Sequence, residues 1–425
     1  MLNIITSVNI PSRGKQVYDE DTLIKVRGML NDIEQTGLSE IRRLGELFGD
    51  LASAQEIIVP KSILKEAFDG LSEADRGAML RISDRIRKFS VAQKESLYSL
   101  SIQIPGGTVG HDIIPVQTAG CYAPGGRFPL PSSVFMTVIP AKVAGVKNVI
   151  VASPNPTQHT LAAAYIAEAD AFVRVGGVQA IGGMAYGLFG YPAANVIVGP
   201  GNRWVTASKQ IISGQIGIDM LAGPSELMIV ADEYADARTI SADLLAQAEH
   251  DPEALPVLIC TSQTVIDQAN SALKKDLESL PAANREIARQ SLKNGYAVLV
   301  KDIDEAARIA NAHAPEHLEL LIEDAKTHSS KFTECGGLFI GSSAAEVIGD
   351  YGAGPNHTLP TGGTAKHKGG LSVFNFLRVR TWINIDDNIA ASGLYTDAGI
   401  LGRIEGLEGH ARSAERRVEP NKSSA

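Results

Sequence analysis

The stretch NVIVASPNPTQHTLAAAYIAEADAFVRVGG, residues 148–177, decides the fold class. It opens with the β-branched run 148–151, continues through a helical pattern over 158–167 and closes with a second run over 172–175. A strand, a helix and another strand in this order predict a right-handed crossover between parallel strands. Alternation of this kind gives mostly parallel sheets that are covered by helices on both faces.

The same alternation extends outward from this stretch. Further β-branched runs, separated by helical patterns, lie at 195–198, 226–230, 257–260, 296–300 and 337–340. They predict an α/β fold with two doubly wound, incomplete Rossmann-like parallel-sheet domains. Helical spacing from residue 21 to about 100 adds a helical N-terminal region, and a helical extension is expected at the C-terminus. The expected segments are 1–105 (N-terminal region), 106–222 (first α/β domain), 223–365 (second α/β domain) and 366–425 (C-terminal extension).

Composition narrows the class of protein. The chain has 425 residues, too many for one ordinary core, and 44% of them are hydrophobic. A net charge of −9 argues against nucleic acid as a partner, because phosphate binding requires a basic face. No stretch is long and apolar enough for a membrane span, and the N-terminus lacks a signal-peptide pattern. With three scattered cysteines, these features predict a cytoplasmic protein without membrane partners.

A first polar cluster, Gln247-Ala248-Glu249-His250, ends a predicted helix. Residues three apart project from one helical face, so Gln247 and His250 could offer two ligands to one metal ion. A lone helical histidine is more often structural, but Asp350 and His410 could complete a set of nitrogen and oxygen donors. Such a set suits zinc, with manganese as an alternative. Three other histidines compete for these positions: His313, His357 and His367.

A second cluster, Glu316-His317, has the composition of a general acid/base couple and directly follows a proline. Ser225 precedes a predicted strand, where an ordinary turn serine is the simpler interpretation. No Gly-x-Ser-x-Gly motif surrounds it, so the sequence does not support a serine nucleophile.

Glycine-rich turns follow several predicted strands. Gly176-Gly177 and Gly199-Pro200-Gly201 lie at strand carboxyl ends, where doubly wound sheets bind ligands. Neither turn matches the GxGxxG fingerprint, so both could equally be plain turns. Tyr122 precedes a Pro-Gly-Gly turn and could stack on a cofactor ring, or the segment could be a simple loop. Arg127 could hold an anionic group or lie in solvent.

These segments together resemble the histidinol dehydrogenase family, from about residue 100 to 418. The resemblance rests on long blocks in one order: GPGN (199–202), IDMLAGPSE (218–226), LLAQAEHD (244–251), APEHLE (314–319), GDYGAGPNHTLPTGG (349–363) and EGLEGH (405–410). The N-terminal helices match this family more loosely.

The resemblance implies an enzyme that oxidises an amino alcohol to an amino acid through an aldehyde, with two molecules of NAD used in sequence. It implies zinc held by Gln247, His250, Asp350 and His410, where the ion binds the substrate's imidazole and amine. His317 would accept the alcohol proton, and Glu316 would activate water. The substrate contacts would be Ser225, Gln247, His250, His317, Asp350, Glu405 and His410, and the NAD contacts Tyr122, Gln179 and Asn202. The resemblance also implies a homodimer in which the C-terminal segment completes the partner's site.

Other hypotheses about the function of the chain stay open. Arg127, the segment TAKHKGGLSV (364–373) and the run EGLEGHARSAERR (405–417) depart from the biosynthetic pattern. Histidinol is the leading substrate, since the APEHLE and GDY blocks match the biosynthetic form, and the alternative is a related enzyme that oxidises another small polar alcohol, such as sulfopropanediol. A metal-dependent hydrolase could use the same ion with Glu316 as its base. A non-catalytic binding protein is disfavoured, because every position expected to act in catalysis is filled.

Overall fold

A computed structural model of the chain describes residues 1–11, 18–125 and 129–418. The chain divides into two compact units. The first unit comprises 1–93 and 116–376, and the second comprises 94–115 and 377–425. Within the described ranges, no helix is both long enough and apolar enough to cross a membrane. The division of the chain at 105, 222 and 365, like the cytoplasmic location, stays a prediction.

The first sheet of the large unit has the strand order β2-β7-β6-β5-β8-β9. Its strands are β2 (Ile58–Val59), β5 (Thr118–Tyr122), β6 (Asn148–Ala152), β7 (Ala171–Val173), β8 (Val196–Val198) and β9 (Gly217–Ile218). All neighbours pair in parallel except β2, which is antiparallel to β7. The chain progresses from β5 to β7 in one direction and from β8 to β9 in the other. The switch point of this doubly wound sheet therefore lies between β5 and β8.

The second sheet repeats this arrangement with the order β1-β12-β11-β10-β13-β14, entirely parallel. Its strands are β1 (Asn3–Ile5), β10 (Glu226–Ala231), β11 (Leu255–Cys260), β12 (Tyr296–Leu299), β13 (His317–Leu321) and β14 (Gly337–Ile340). Alternate residues of β10 enter two different cores: Leu227 and Ile229 pack on one face, and Met228 and Val230 on the other. The strand is apolar throughout because both of its faces are covered.

Helices cover both sheets. Those of the large unit are α1 (Glu20–Thr36), α2 (Leu38–Leu47), α3 (Lys61–Asp69), α4 (Glu73–Glu95), α5 (Pro131–Ala144), α6 (Gln158–Ile166), α7 (Gly177–Ala185), α8 (Arg203–Ile212), α9 (Ala237–Ala248), α10 (Gln263–Ser279), α11 (Ala282–Ser291), α12 (Ile303–His313), α13 (Ala325–His328) and α14 (Glu346–Asp350). Several begin at a polar side chain that accepts a backbone N–H, such as Asn202 for α8 and Asp236 for α9. The N-terminal helices α1 and α2 pack on the first sheet through Leu30, Ile33 and Ile41.

The small unit contains a three-stranded antiparallel sheet of order β15-β4-β3 and two C-terminal helices. Its strands are β3 (Leu100–Ile104), β4 (Gly107–Pro115) and β15 (Leu377–Ile385), and its helices are α15 (Ser392–Ile404) and α16 (Glu408–Glu415). The two helices pack closely, since a Cβ at Gly402 would lie 3.2 Å from the Ala411 nitrogen. Arg403 joins them through ion pairs with Glu408 and Glu415.

The α/β class with two parallel sheets, the helical N-terminal region and the C-terminal helices is confirmed. One helix end was predicted wrongly. Helix α9 ends at Ala248 and not at His250, because the chain turns ahead of Pro252. His250 lies in that turn, with its N–H donated to the Gln247 carbonyl at 3.3 Å.

Candidate active site and dinucleotide cavity

The pair Glu316 and His317 lies where helix α12 gives way to strand β13. Ala314 closes the helix in a left-handed conformation with φ of 52°, and Pro315 prevents the helix from continuing. His317 then opens β13 opposite Leu227 of β10. Both residues of the pair therefore lie at the amino end of β13, beside the amino end of β10 in the second sheet.

Glu316 is buried and held by two donors. One oxygen of its carboxylate accepts the Ser225 hydroxyl at 2.8 Å and the Glu226 backbone N–H at 2.9 Å. Burial raises the pKa of Glu316 well above the usual carboxyl value, against the opposing effect of these hydrogen bonds. A carboxylate of raised pKa in a fixed position is a better proton acceptor than a solvated one, which suits a general base.

The orientation of His317 follows from one hydrogen bond. Its Nδ1 lies 3.0 Å from the Glu226 carbonyl oxygen, which can only accept, so Nδ1 carries the hydrogen. The neutral ring then has its lone pair on Nε2. This atom is buried, has no hydrogen-bond partner among the described residues, and lies 3.7 Å from a Glu346 oxygen and 3.9 Å from an Asp350 oxygen. An unpaired imidazole nitrogen in a polar cluster is suited to accept a proton from a bound substrate.

Side chains that could bind a metal ion converge beside His317. His250, Glu346 and Asp350 each offer one donor atom, and these three atoms lie within 4.8 Å of one another. Gln247, on the last turn of α9, is fully buried, and neither its amide oxygen nor its amide nitrogen has a hydrogen-bond partner among the described residues. Unpaired buried polar atoms are costly unless a ligand satisfies them, so these residues fit a divalent ion such as zinc.

A cavity of about 160 Å³ joins the two groups of side chains. Its lining includes Ser225, His250, Glu316, His317 and Asp350. Four of the predicted substrate contacts and Glu316 thus surround one small space, which has the dimensions of a site for a small polar molecule.

The competing histidines differ in position. His357 also lines this cavity, with its Nδ1 3.1 Å from the Asp350 carbonyl oxygen, and burial lowers its pKa. His313 is buried at the end of α12, and His367 is exposed. The hydrogen bond of His357 Nδ1 is made to the last residue of α14, the helix that carries Asp350.

The three predicted NAD contacts line a second, larger cavity of about 550 Å³. Tyr122 ends β5, Gln179 lies in the first turn of α7, and Asn202 caps α8. The cavity therefore lies at the carboxyl ends of β5, β7 and β8, around the switch point where doubly wound sheets bind nucleotides. Asp50 and Trp204 also line it, and no sequence motif indicated either residue.

Glu405 and His410 belong to the small unit. Glu405 follows the last turn of α15, His410 lies in α16, and both are exposed. Arg127 lies outside the described residues.

Known proteins share this sequence and architecture. The family described as histidinol dehydrogenase matches residues 12–418. Histidinol dehydrogenase from Thermus thermophilus is 43% identical over 394 residues, which cover 92% of this chain and 93% of that protein. The corresponding protein from Acinetobacter baylyi is 39% identical over 410 residues, covering 95% and 94%. The crystal structure of histidinol dehydrogenase from Elizabethkingia anophelis superimposes with a TM-score of 0.91 at 30% identity, covering 98% of each chain.

The chain belongs to the histidinol dehydrogenase family. It is accordingly an NAD-dependent oxidoreductase. The resemblance read from the sequence blocks is confirmed, and the membership favours the dehydrogenase over the hydrolase. The roles assigned to individual residues stay predictions.

Sequence reasoning missed one member of the polar cluster in this histidinol dehydrogenase family protein. Glu346 lies four residues before Asp350 on α14, so both carboxylates face the same side of one helical turn. Burial raises the pKa of Glu346 to about 8, and the neighbouring His317 opposes that rise. The i,i+4 spacing of two acidic residues was the available signal.

Proposed function

We propose that the chain oxidises L-histidinol to L-histidine through L-histidinal, with zinc and two molecules of NAD, as a step of histidine biosynthesis. The observation that carries this proposal is the free Nε2 of His317, placed between buried carboxylates and fixed in its tautomer by the Glu226 carbonyl. Family membership supplies the reaction class, and the polar cavity beside a dinucleotide-sized one supports the pairing of substrate and cofactor.

Gln247, His250, Asp350 and His410 would hold the zinc ion. The unpaired amide of Gln247 and the convergence of His250 with Asp350 support the part of this set that lies in the large unit. When bound, zinc would supply binding positions for the imidazole and amino nitrogens of the substrate, and NAD would supply the hydride acceptor for each oxidation. Ser225 and Glu405 would orient the substrate.

The two oxidations divide between the two members of the acid/base couple. In the first, His317 Nε2 accepts the hydroxyl proton of the alcohol while the carbon loses a hydride, which yields the aldehyde. In the second, Glu316 removes a proton from water as the water oxygen adds to the aldehyde carbon. The resulting hydrate loses a hydride and a proton, which leaves the carboxylate of the amino acid. The raised pKa of Glu316 favours its role as the acceptor of the water proton.

The proposed enzyme acts as a homodimer in which Glu405 and His410 complete the partner's site. The small unit exposes large apolar side chains to an extent that is unfavourable in a lone subunit: Ile383 at 75%, Ile389 at 86% and Ile404 at 75%. A second copy covering these side chains would remove that cost.

The deciding experiment offers the purified enzyme histidinol and sulfopropanediol side by side with NAD, and follows NADH by absorbance. The expected result is two NADH formed per histidinol, little from sulfopropanediol, and loss of activity after chelation with recovery on adding zinc. Preferential turnover of sulfopropanediol would replace the substrate assignment. Metal-dependent cleavage of esters or amides without NADH formation from any alcohol would overturn the reaction class.

A further inference from the structure

Asp50 reaches the dinucleotide cavity from outside the two sheets. Helix α2 ends at Leu47, and Gly49 takes a left-handed conformation with φ of 78° that reverses the chain. The Asp50 N–H then donates to the Gly45 carbonyl at 2.8 Å, and the carboxylate lines the cavity beside Gln179. The backbone of the turn thus fixes where this acidic group lies.

One oxygen of the Asp50 carboxylate is bonded to the start of helix α7. It accepts the Gly176 N–H at 2.8 Å and the Gln179 side-chain N–H at 2.7 Å. Helix α7 has no capping side chain of its own, because its N-cap residue is Gly176. The beginning of a helix is a binding position for anions, and in many nucleotide-binding sheets a phosphate takes it. In this chain a carboxylate already fills that position.

The neighbouring Gln179 shows that this end of the cavity needs a donor. Gln179 is only 2% exposed, and its amide oxygen has no hydrogen-bond partner among the described residues. Because its amide nitrogen is committed to the acceptor Asp50, the amide cannot be reversed without losing that bond. The site therefore combines a carboxylate with an unpaired carbonyl oxygen, and both groups accept hydrogen bonds.

We propose that Asp50 determines the preference of this enzyme for NAD over NADP. This role rests on the proposed dinucleotide function, and it assigns this end of the cavity to a ribose of the dinucleotide. The ribose hydroxyls of NAD are donors, which match an acceptor-only surface made by Asp50 and Gln179. The 2′-phosphate of NADP offers acceptors and negative charge, which the carboxylate repels and which the filled helix start cannot bind.

The test substitutes Asp50→Asn. The asparagine oxygen can still accept from Gly176 and Gln179, so the local structure is kept while the negative charge is removed. The expected result is a fall of about 10- to 100-fold in the ratio of kcat/KM for NAD to that for NADP, because one charge repulsion is lost. Asp50→Ser, which is smaller and also uncharged, should change the ratio in the same direction and serves if the first variant does not fold.

Binding without substrate provides a second measurement. Trp204 lines the cavity, and Trp382 is the other tryptophan of the chain, so a Trp382→Phe background leaves Trp204 as the reporter. Quenching of its fluorescence by NADH and by NADPH gives the two dissociation constants. Asp50→Asn should narrow the gap between them. This readout separates the two proposals: absence of NADH formation from histidinol would sink the function, while the nucleotide preference would still be measured.

Asp236→Asn is the matched control. Asp236 likewise accepts a backbone N–H at the start of a helix, from Arg238 at 2.9 Å, but it is exposed and does not line the cavity. Its replacement should leave the nucleotide preference unchanged. The proposal is overturned if Asp50→Asn weakens NADH and NADPH binding by equal factors, or if both Asp50 variants keep the wild-type preference.

Discussion

The substitution Glu316→Gln separates the two oxidations of the proposed reaction. Glutamine has nearly the same shape, and its amide oxygen can accept from Ser225 and from the Glu226 N–H as the carboxylate does. The change therefore removes the proton-accepting ability of residue 316 while retaining its local contacts. His317 keeps its bond to the Glu226 carbonyl and remains available for the alcohol step.

The size of the effect follows from the role of the lost base. A positioned general base contributes about 10²- to 10⁴-fold, which corresponds to about 2.7–5.4 kcal/mol of barrier for the addition of water to the aldehyde. The structural cost is small by comparison. Two charge-assisted hydrogen bonds become ordinary ones, but a buried group whose pKa is raised by desolvation no longer has to carry a charge. The free energy of unfolding should therefore change by no more than about 1 kcal/mol.

The assay counts NADH in each half of the reaction. With histidinol and excess NAD, the wild type should form two NADH per substrate, whereas the variant should form one quickly and the second slowly. Trapping with an aldehyde reagent should detect histidinal after the first phase. Direct oxidation of added histidinal should be slowed by the full factor, with the alcohol step changed by less than about tenfold.

One result would refute the assignment of Glu316 as the general base. If the variant oxidises histidinal within about threefold of the wild-type rate, Glu316 is not the base that activates water. Ser225→Ala provides the control, because Glu316 keeps its charge and the Glu226 N–H. That variant should lose less in the aldehyde step than Glu316→Gln, because it removes one charge-assisted hydrogen bond, worth about 1.5–3 kcal/mol, and keeps the base.

Three further predictions concern proton transfer, the metal and pH. His317→Ala should slow the alcohol step by about 10²- to 10⁴-fold, and near-wild-type turnover in stopped-flow assays would contradict its role as proton acceptor. His410→Ala should lower the zinc content measured by elemental analysis, whereas unchanged zinc would exclude it as a ligand. Burial beside Asp243 raises the pKa of Glu319 to about 8, so its stabilising protonated form is complete below the ordinary carboxyl pKa and is lost as pH rises toward 8. The wild-type free energy of unfolding should fall across that window, and Glu319→Gln should flatten the fall in urea titrations at several pH values.

Local pattern was sufficient for seven of the twelve strands of the two six-stranded sheets. Runs rich in Val and Ile marked β6, β8, β10 and β11, because strands buried on both faces need continuous apolar side chains. Strand β5 was missed since Thr118–Tyr122 consists mainly of small residues that carry little β signal. Strand β13 was missed since it contains Glu319, which lies in the core only because it contacts Asp243 and the Glu346 N–H.

The candidate site was predicted residue by residue, but not its geometry. Motif blocks identified Glu316, His317 and Asp350 because these residues lie in short, distinctive segments of the sequence. No local pattern links Asp50 to Gln179, since their contact spans 129 positions and depends on how α2 packs beside the first sheet. The bond from His317 Nδ1 to the Glu226 carbonyl likewise depends on the register of β10 and β13, which tertiary structure alone decides.

The placement of the proposed catalytic pair, Glu316 and His317, at the amino ends of β10 and β13 has an electrostatic consequence. In a parallel sheet with crossover helices, the amino edge of the strands is the edge where helices terminate, and a helix terminus carries partial negative charge. Helices α9 and α12 end there, next to Gln247 and Glu316, so the backbone itself favours the positive charge of a metal ion and of a protonated amino alcohol. At the first sheet the larger cavity lies at the opposite edge, where α8 begins with partial positive charge while the Asp50 carboxylate occupies the start of α7. The two copies of one architecture thus present opposite sheet edges, and helix ends of opposite partial charge, to their cavities.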